Sequence, residues 1–161
     1  MRLEEEIGDL LREKGLTLGA VESATGGLIS HRVTNVPGSS DYYKGSVNAY
    51  SNEVKSGVVG VSEDTLIQYG AVSPQVAEEM AEGGKLLLGV DICIADTGIA
   101  GPGGATADKE VGLFYLGLSH GEMTYSRKHH FRGNREQNKQ SAAEEALSWL
   151  KEYLTDLKMN F

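Results

Sequence analysis

Cysteine is nearly absent: Cys93 is the single one in 161 residues. One thiol builds neither a disulfide framework nor a thiolate zinc site, and the chain is expected in a reducing compartment, the cytoplasm. Long apolar runs are missing as well. No stretch approaches the roughly 18 consecutive apolar residues that a membrane span needs. The opening segment MRLEEEIGDL is acidic and amphipathic, unlike a signal or transit peptide. Basic residues are outnumbered, 15 against 23 acidic, for a net charge of −8, which disfavours a general nucleic-acid-binding surface. The histidines are His31, His120, His129 and His130. None has H-E-x-x-H spacing, and the adjacent His129 and His130 in a strand point to opposite faces. No metal and no cofactor is therefore expected.

What is present describes a globular protein. The length argues for one domain, residues 1–161, long enough to bury about 70% of the surface its unfolded chain exposes. Glycine is the abnormal component, 21 of 161 residues, against a usual share of about 7%. There is no collagen period and no low-complexity run, so glycine serves particular turns. Charge is uneven. Between Ser119 and Gln140 the basic residues Arg127, Lys128, Arg132, Arg135 and Lys139 face only Glu122 and Glu136. That is either a solvated strand edge and helix start or a local anion site on an acidic protein.

Hydrophobic spacing gives the element order. Leu3, Ile7, Leu10 and Leu11 share one helix face; Glu4, Glu5 and Glu6 suit its first turn, and Gly15 stops it. Leu16 to Val21 reads as a strand, 23–27 as a turn, and Leu28, Ile29, Val33 and Val36 as a helix closed by Pro37-Gly38. Ser46 to Tyr50 is a short strand, followed by helices capped at Ser51 or Asn52, at Ser62 and at Ser73-Pro74. Gly83-Gly84 inside the last of these predicts a close backbone contact. Asp91 to Asp96 is a buried strand and Gly98 to Glu110 a loop. Val111 to Ser119 and Met123 to Phe131 are strands joined at His120-Gly121. A final helix from Asn134 buries Ala142, Ala146, Trp149, Leu150, Tyr153, Leu154 and Leu157. The expected fold is α/β, a sheet covered by helices.

Three segments invite a chemical reading. In Glu22-Ser23-Ala24-Thr25-Gly26-Gly27 a strand turns sharply into a helix. Amides at such a start bind phosphate or an oxyanion, although Ser23 or Thr25 also serves as a plain N-cap. The segment follows the logic of a nucleophile elbow without its G-x-S-x-G pattern. In Tyr50-Ser51-Asn52-Glu53-Val54-Lys55 a strand end enters a helix, where α/β sites gather. Lys55 lies in the first turns, where a cation is disfavoured. Partly buried, it is a candidate neutral base; exposed, it is an ordinary lysine. Tyr50 is placed either to donate a hydrogen bond or to pack. Thr97 to Gly104 carries four glycines, Gly98, Gly101, Gly103 and Gly104, which suits backbone approaching a ligand, but it matches neither Walker A nor G-x-G-x-x-G.

Five motifs occur in order: Glu22–Gly27, Pro37-Gly38-Ser39-Ser40, Ala49–Lys55, Gly70-Ala71-Val72-Ser73 and Thr97-Gly98-Ile99-Ala100-Gly101-Pro102. In this combination the chain resembles the CinA (competence/damage-inducible) C-terminal domain family, which includes the stand-alone nicotinamide-nucleotide amidases. The match runs from about Ala20 to Ala146. The resemblance implies a three-layer α/β/α sandwich with a mixed, mainly parallel sheet of about five strands. It implies a metal-free serine/lysine amidohydrolase that converts nicotinamide mononucleotide to nicotinate mononucleotide and ammonia in pyridine-nucleotide salvage.

Carried over by motif, Ser23 is the nucleophile, Lys55 the general base and Tyr50 an assisting group. Amides near Thr25, Gly26 and Gly27 would hold the oxyanion. Ser39, Thr97, Gly98 and Gly101 would line the nucleotide pocket, and Arg135 would grip the substrate phosphate through two bonds. By the same analogy a homo-oligomer is expected. Departures from the family pattern are Ala24 in place of cysteine, Gly103-Gly104-Ala105 for an Asp-Gly-Gly-like run, Glu110 for proline, and Asn138-Lys139 for a Val-Arg pair. The alternative class is a non-catalytic nucleotide-binding or regulatory domain linked to competence or a DNA-damage response.

Overall fold

The computed structural model describes residues Met1–Leu157. Helix α1 (Leu3–Lys14) starts where the Glu5 carboxylate accepts the Arg2 N–H at 2.8 Å and ends at a left-handed Gly15. Strand β1 (Leu18–Glu22) is buried along its whole length. Helix α2 (Leu28–Thr34) and a 3₁₀ turn (Ser39–Asp41) lead to β2 (Tyr43–Asn48). Then come α3 (Asn52–Gly57), α4 (Glu63–Tyr69) and α5 (Pro74–Leu88), the last capped by the Ser73 hydroxyl, which accepts the Val76 N–H. The chain closes with β3 (Ile92–Gly98), the hairpin β4 (Leu113–His120) and β5 (Met123–His130), and α6 (Arg135–Asp156). No helix among the described residues is long and apolar enough to cross a membrane.

The five strands form one sheet in the order β2-β1-β3-β4-β5. Both neighbours of β1 run parallel to it, while β4 is antiparallel to β3 and to β5. Four of the five strands therefore point one way, and β4 alone opposes them. The side-chain period of two splits β1 and β3 between two layers. Leu18, Ala20, Ile92 and Ile94 pack under α1, α2 and α6 with Ile7, Ile29 and Leu147. Val21, Cys93 and Ala95 pack under α5 with Val76 and Met80. The molecule is an α/β fold with a mixed sheet flanked by helices on both faces, as expected.

Gly83 and Gly84 explain how α5 sits so close. A Cβ at Gly83 would stand 2.1 Å from the Val59 carbonyl oxygen, and one at Gly84 would stand 2.3 Å from Val21 Cγ2. The helix stability lost at two internal glycines is the condition for that approach. Strand β2 lies earlier than Ser46–Tyr50, because pairing with β1 from Leu18↔Tyr43 to Glu22↔Asn48 sets its limits. Residues 49–51 are thereby freed to turn across the carboxyl ends of β1 and β3.

Candidate active site

The parallel strands end at a cleft of about 300 Å³, lined among others by Ser23, Tyr50, Asn52, Lys55, Thr97 and Arg135. Such a position, outside the carboxyl ends of an open α/β sheet, is where these folds bind ligands. The volume is at the lower end of small-molecule pockets.

Ser23 follows β1 directly. Lys55 lies one turn into α3, whose start is fixed by the Ser51 hydroxyl accepting the Val54 N–H at 3.2 Å. From there the lysine side chain runs inward and is 2% exposed. Its Nζ is 2.9 Å from Ser23 Oγ, 2.8 Å from the Ala49 carbonyl and 3.1 Å from the Tyr50 carbonyl. Burial lowers its pKa below the usual 10.5, and only the Asp96 charge pulls the other way. An ammonium would donate to all three oxygens. A neutral amine would donate two N–H groups to the two carbonyls and turn its lone pair to the Ser23 hydroxyl. Both forms fit these distances, which is what a base that gains and returns a proton requires.

Behind Ser23 lie two buried carboxyls that the sequence reading did not single out. Asp96, 0% exposed, accepts the Ser23 N–H at 3.1 Å and the Thr25 N–H at 3.2 Å. Burial, aided by the neighbouring Glu22, raises its pKa to about 6 against the hydrogen bonds that favour its ionised form. Glu22 accepts from the Gly27, Ile29 and Ser30 amides and from the Ser30 hydroxyl, at 2.6–3.2 Å. It thereby caps the start of α2. The legible signal was an acid at the end of each otherwise apolar strand.

The mouth of the cleft is held by α6. Arg135 donates to the Gly101 carbonyl at 2.8 Å and to the Tyr50 phenol at 3.3 Å. One turn on, the buried Asn138 donates to the Ala100 carbonyl at 3.0 Å and accepts the Gly133 N–H at 2.9 Å. Asn138 was noted in the sequence only as a departure from the family; here it ties the glycine loop to the helix. Thr97 donates to the Ala71 carbonyl at 2.7 Å. Gly98 must be glycine, because a Cβ would stand 2.3 Å from the Phe114 ring. Thr97, Gly98, Gly101 and Arg135 all line the cleft with Ser23, Lys55 and Tyr50.

Other expectations need correction. Ser39 does not reach the cleft. It opens the 3₁₀ turn ahead of β2, at the amino ends of the parallel strands, roughly one strand length (~15 Å) away. The Thr25, Gly26 and Gly27 amides are not free for an oxyanion: they donate to Asp96, to the Ser23 carbonyl and to Glu22. The Ala24 amide, next to the nucleophile candidate and lining the cleft, makes no hydrogen bond among the described residues. The Tyr50 side chain is 64% exposed, and its phenol meets Arg135 rather than Ser23 or Lys55. What Tyr50 offers the lysine is its carbonyl. Among the described residues no group of three or more His, Cys, Asp or Glu side chains is arranged to hold a metal ion.

A serine hydroxyl bonded to a buried lysine, at the strand ends of an open sheet, defines an α/β domain with a Ser–Lys site. Comparison with known proteins identifies it further. The sequence model of the CinA C-terminal domain matches residues 1–154, and the chain belongs to that family. A CinA-like protein of Salinibacter ruber is 48% identical over 145 residues, covering 90% of this chain and 35% of its own length. A CinA-like protein of Leptospira interrogans is 52% identical over 128 residues, 79% of this chain and 31% of its own. The chain thus spans about a third of the length of the curated relatives it matches. Among solved structures, the competence damage-inducible protein A of Klebsiella pneumoniae superposes with a TM-score of 0.94 at 30% identity, over 97% of each chain. The competence/damage inducible protein CihA of Agrobacterium tumefaciens superposes with 0.91 at 33% identity, over 96% of this chain and 94% of that one.

Proposed function

We propose that the chain is a serine/lysine amidohydrolase whose substrate is nicotinamide mononucleotide. The observation that carries the chemistry is the buried Lys55 Nζ, 2.9 Å from Ser23 Oγ with two carbonyls holding its other hydrogens. The substrate rests on the family resemblance.

In this reading Ser23 Oγ attacks the carboxamide carbon while its proton passes to neutral Lys55. The carbonyl oxygen becomes an oxyanion, met by the Ala24 N–H. As the C–N bond breaks, protonated Lys55 returns the proton to the nitrogen, and ammonia leaves an acyl ester on Ser23. A water then gives one proton to Lys55 and adds to the ester carbon. The C–O bond to Ser23 breaks, Ser23 recovers the proton, and the nicotinate carboxyl is released. Two of the five N–H groups of Arg135 are engaged within the protein; the remaining three are available to a substrate phosphate at the mouth.

The test is release of ammonia and nicotinate mononucleotide from nicotinamide mononucleotide, with a chelator present. Turnover is expected in the wild type and to fall by ~10³-fold or more in Ser23→Ala and in Lys55→Ala. A wild type that binds the nucleotide without hydrolysing it would instead favour the regulatory, non-catalytic class.

A further inference from the structure

Two fully buried carboxyl groups stand behind Ser23, and the mechanism above uses neither. The Thr25 hydroxyl joins them. Its Oγ1 lies 2.7 Å from Glu22 Oε1 and 2.5 Å from Asp96 Oδ1. A hydroxyl has one hydrogen, so it serves one of these oxygens. If both carboxyls were ionised, the other short contact would oppose two lone pairs at hydrogen-bond distance in a site without solvent. While both short contacts are kept, one carboxyl therefore supplies a hydrogen.

The donors around each group decide which. Glu22 already receives three amides and the Ser30 hydroxyl, and that hydroxyl is itself fed by the Tyr43 phenol at 2.6 Å. Asp96 receives two amides. Hydrogen bonds to the charged form favour it, so Glu22 is the anion and Asp96 the acid.

We propose that Glu22, Thr25 and Asp96 share a single proton, held on Asp96 and donated through the Thr25 hydroxyl to the Glu22 carboxylate, and that Asp96 is a positioning residue that sets the proton affinity of Lys55. The catalytic meaning of this proposal rests on the amidohydrolase reading; its tests do not. Glu22 of β1 meets Asp96 across the shared Thr25 hydroxyl, and Lys55 of α3 lies on the other side of Ser23, whose N–H Asp96 accepts and whose hydroxyl is 2.9 Å from Lys55 Nζ. Lys139 of α6 faces the turn at Gly26. While Asp96 is neutral, only Glu22 is negative behind the nucleophile, and Lys55 gives up its proton more readily. When Asp96 ionises, its charge raises the affinity of Lys55 for a proton. The raised pKa of Asp96, about 6, agrees with the hydrogen count.

Side-chain NMR titration of the whole chain tests both halves without needing turnover. Carboxyl carbons report protonation residue by residue, and the Lys55 nitrogen reports its own. At about pH 6, where ordinary carboxyls near pH 4 are ionised, the Asp96 carboxyl carbon is expected to be substantially protonated and that of Glu22 ionised. Ionised Asp96 at that pH, or the proton found on Glu22, overturns the assignment. In Asp96→Asn the Lys55 midpoint is expected to move to lower pH, because the neutral amide cannot stabilise the ammonium. An unmoved or raised midpoint overturns the coupling. The wild-type carboxyl titration stands as a test even if that variant does not fold. Loss of amidase activity with these titrations intact would count against the proposed reaction and not against the shared proton.

Discussion

Strands β1 and β3 have two ends of opposite character. At their amino ends Leu18 and Ile92 are fully buried among other apolar side chains of α1, α2 and α6. At their carboxyl ends, four or five residues on, Glu22, Ser23, Asp96 and Thr97 are buried too but are polar, and Lys55 joins them from α3. The apolar end is held by shape and exclusion of water, which tolerates a change of side chain at the expense of a cavity. The polar end is held by hydrogen bonds that must all be present, since a buried donor or acceptor left without a partner costs more than the bond contributes. The same two strands thus supply a rigid base and a site whose protonation states depend on one another.

The contrast is broken most strongly by a paired substitution. Leu18→Ala and Glu22→Gln are each expected to cost about 3 kcal/mol, read from denaturant midpoints at unchanged slope. Only Glu22→Gln should also depress turnover per folded molecule, because its amide nitrogen would face donors that the carboxylate accepts. Equal turnover in the two variants would erase the distinction between the ends. A smaller effect follows from Asp96. Its folded pKa of about 6 lies above the ordinary 3.8, so between these values the folded state binds more protons than the unfolded. Stability is expected to fall as pH rises through that window, and Asp96→Asn should remove that part of the slope in a pH series of unfolding curves.

Arg135 touches the cleft only at its mouth. Arg135→Ala should raise KM about tenfold with kcat nearly retained, the pattern of an interaction made equally in ground and transition states. A fall in kcat with unchanged KM would move Arg135 into the chemistry. Least of all is expected of Ser39→Ala, at the far end of the strands: a stability change within about 0.5 kcal/mol and unaltered KM and kcat. A change in KM would return Ser39 to the substrate.

Much of the fold was legible in the residues. The Leu3–Leu11 spacing with its acidic first turn and the Ser73-Pro74 start of α5 are local patterns, and each appears where its own chemistry puts it. The hairpin forms too, but its turn is Gly121-Glu122 and not His120-Gly121, because His120 still pairs with Met123. The pairing of Ser23 with Lys55 entered through family motifs and a helix-start argument. The structure brings the two within hydrogen-bond distance. The limits of β2 were misread because they depend on pairing with β1. The amides of 25–27 were misassigned because a glycine-rich turn does not reveal which carboxylates will occupy its donors.

By itself the sequence determined the elements: where helices begin and stop, which faces are apolar, and that a serine and a lysine follow two strand ends. These properties depend on neighbours within about four residues along the chain. Tertiary structure alone decided which strand end faces which. It carried Asp96 from a buried strand to the back of Ser23, 73 positions away. It also set Ser39 at the opposite end of the sheet from the cleft and turned the Tyr50 phenol to Arg135. Proton affinities follow from that assembly, because burial and the charges across a few ångströms set them, and neither exists until the strands lie side by side.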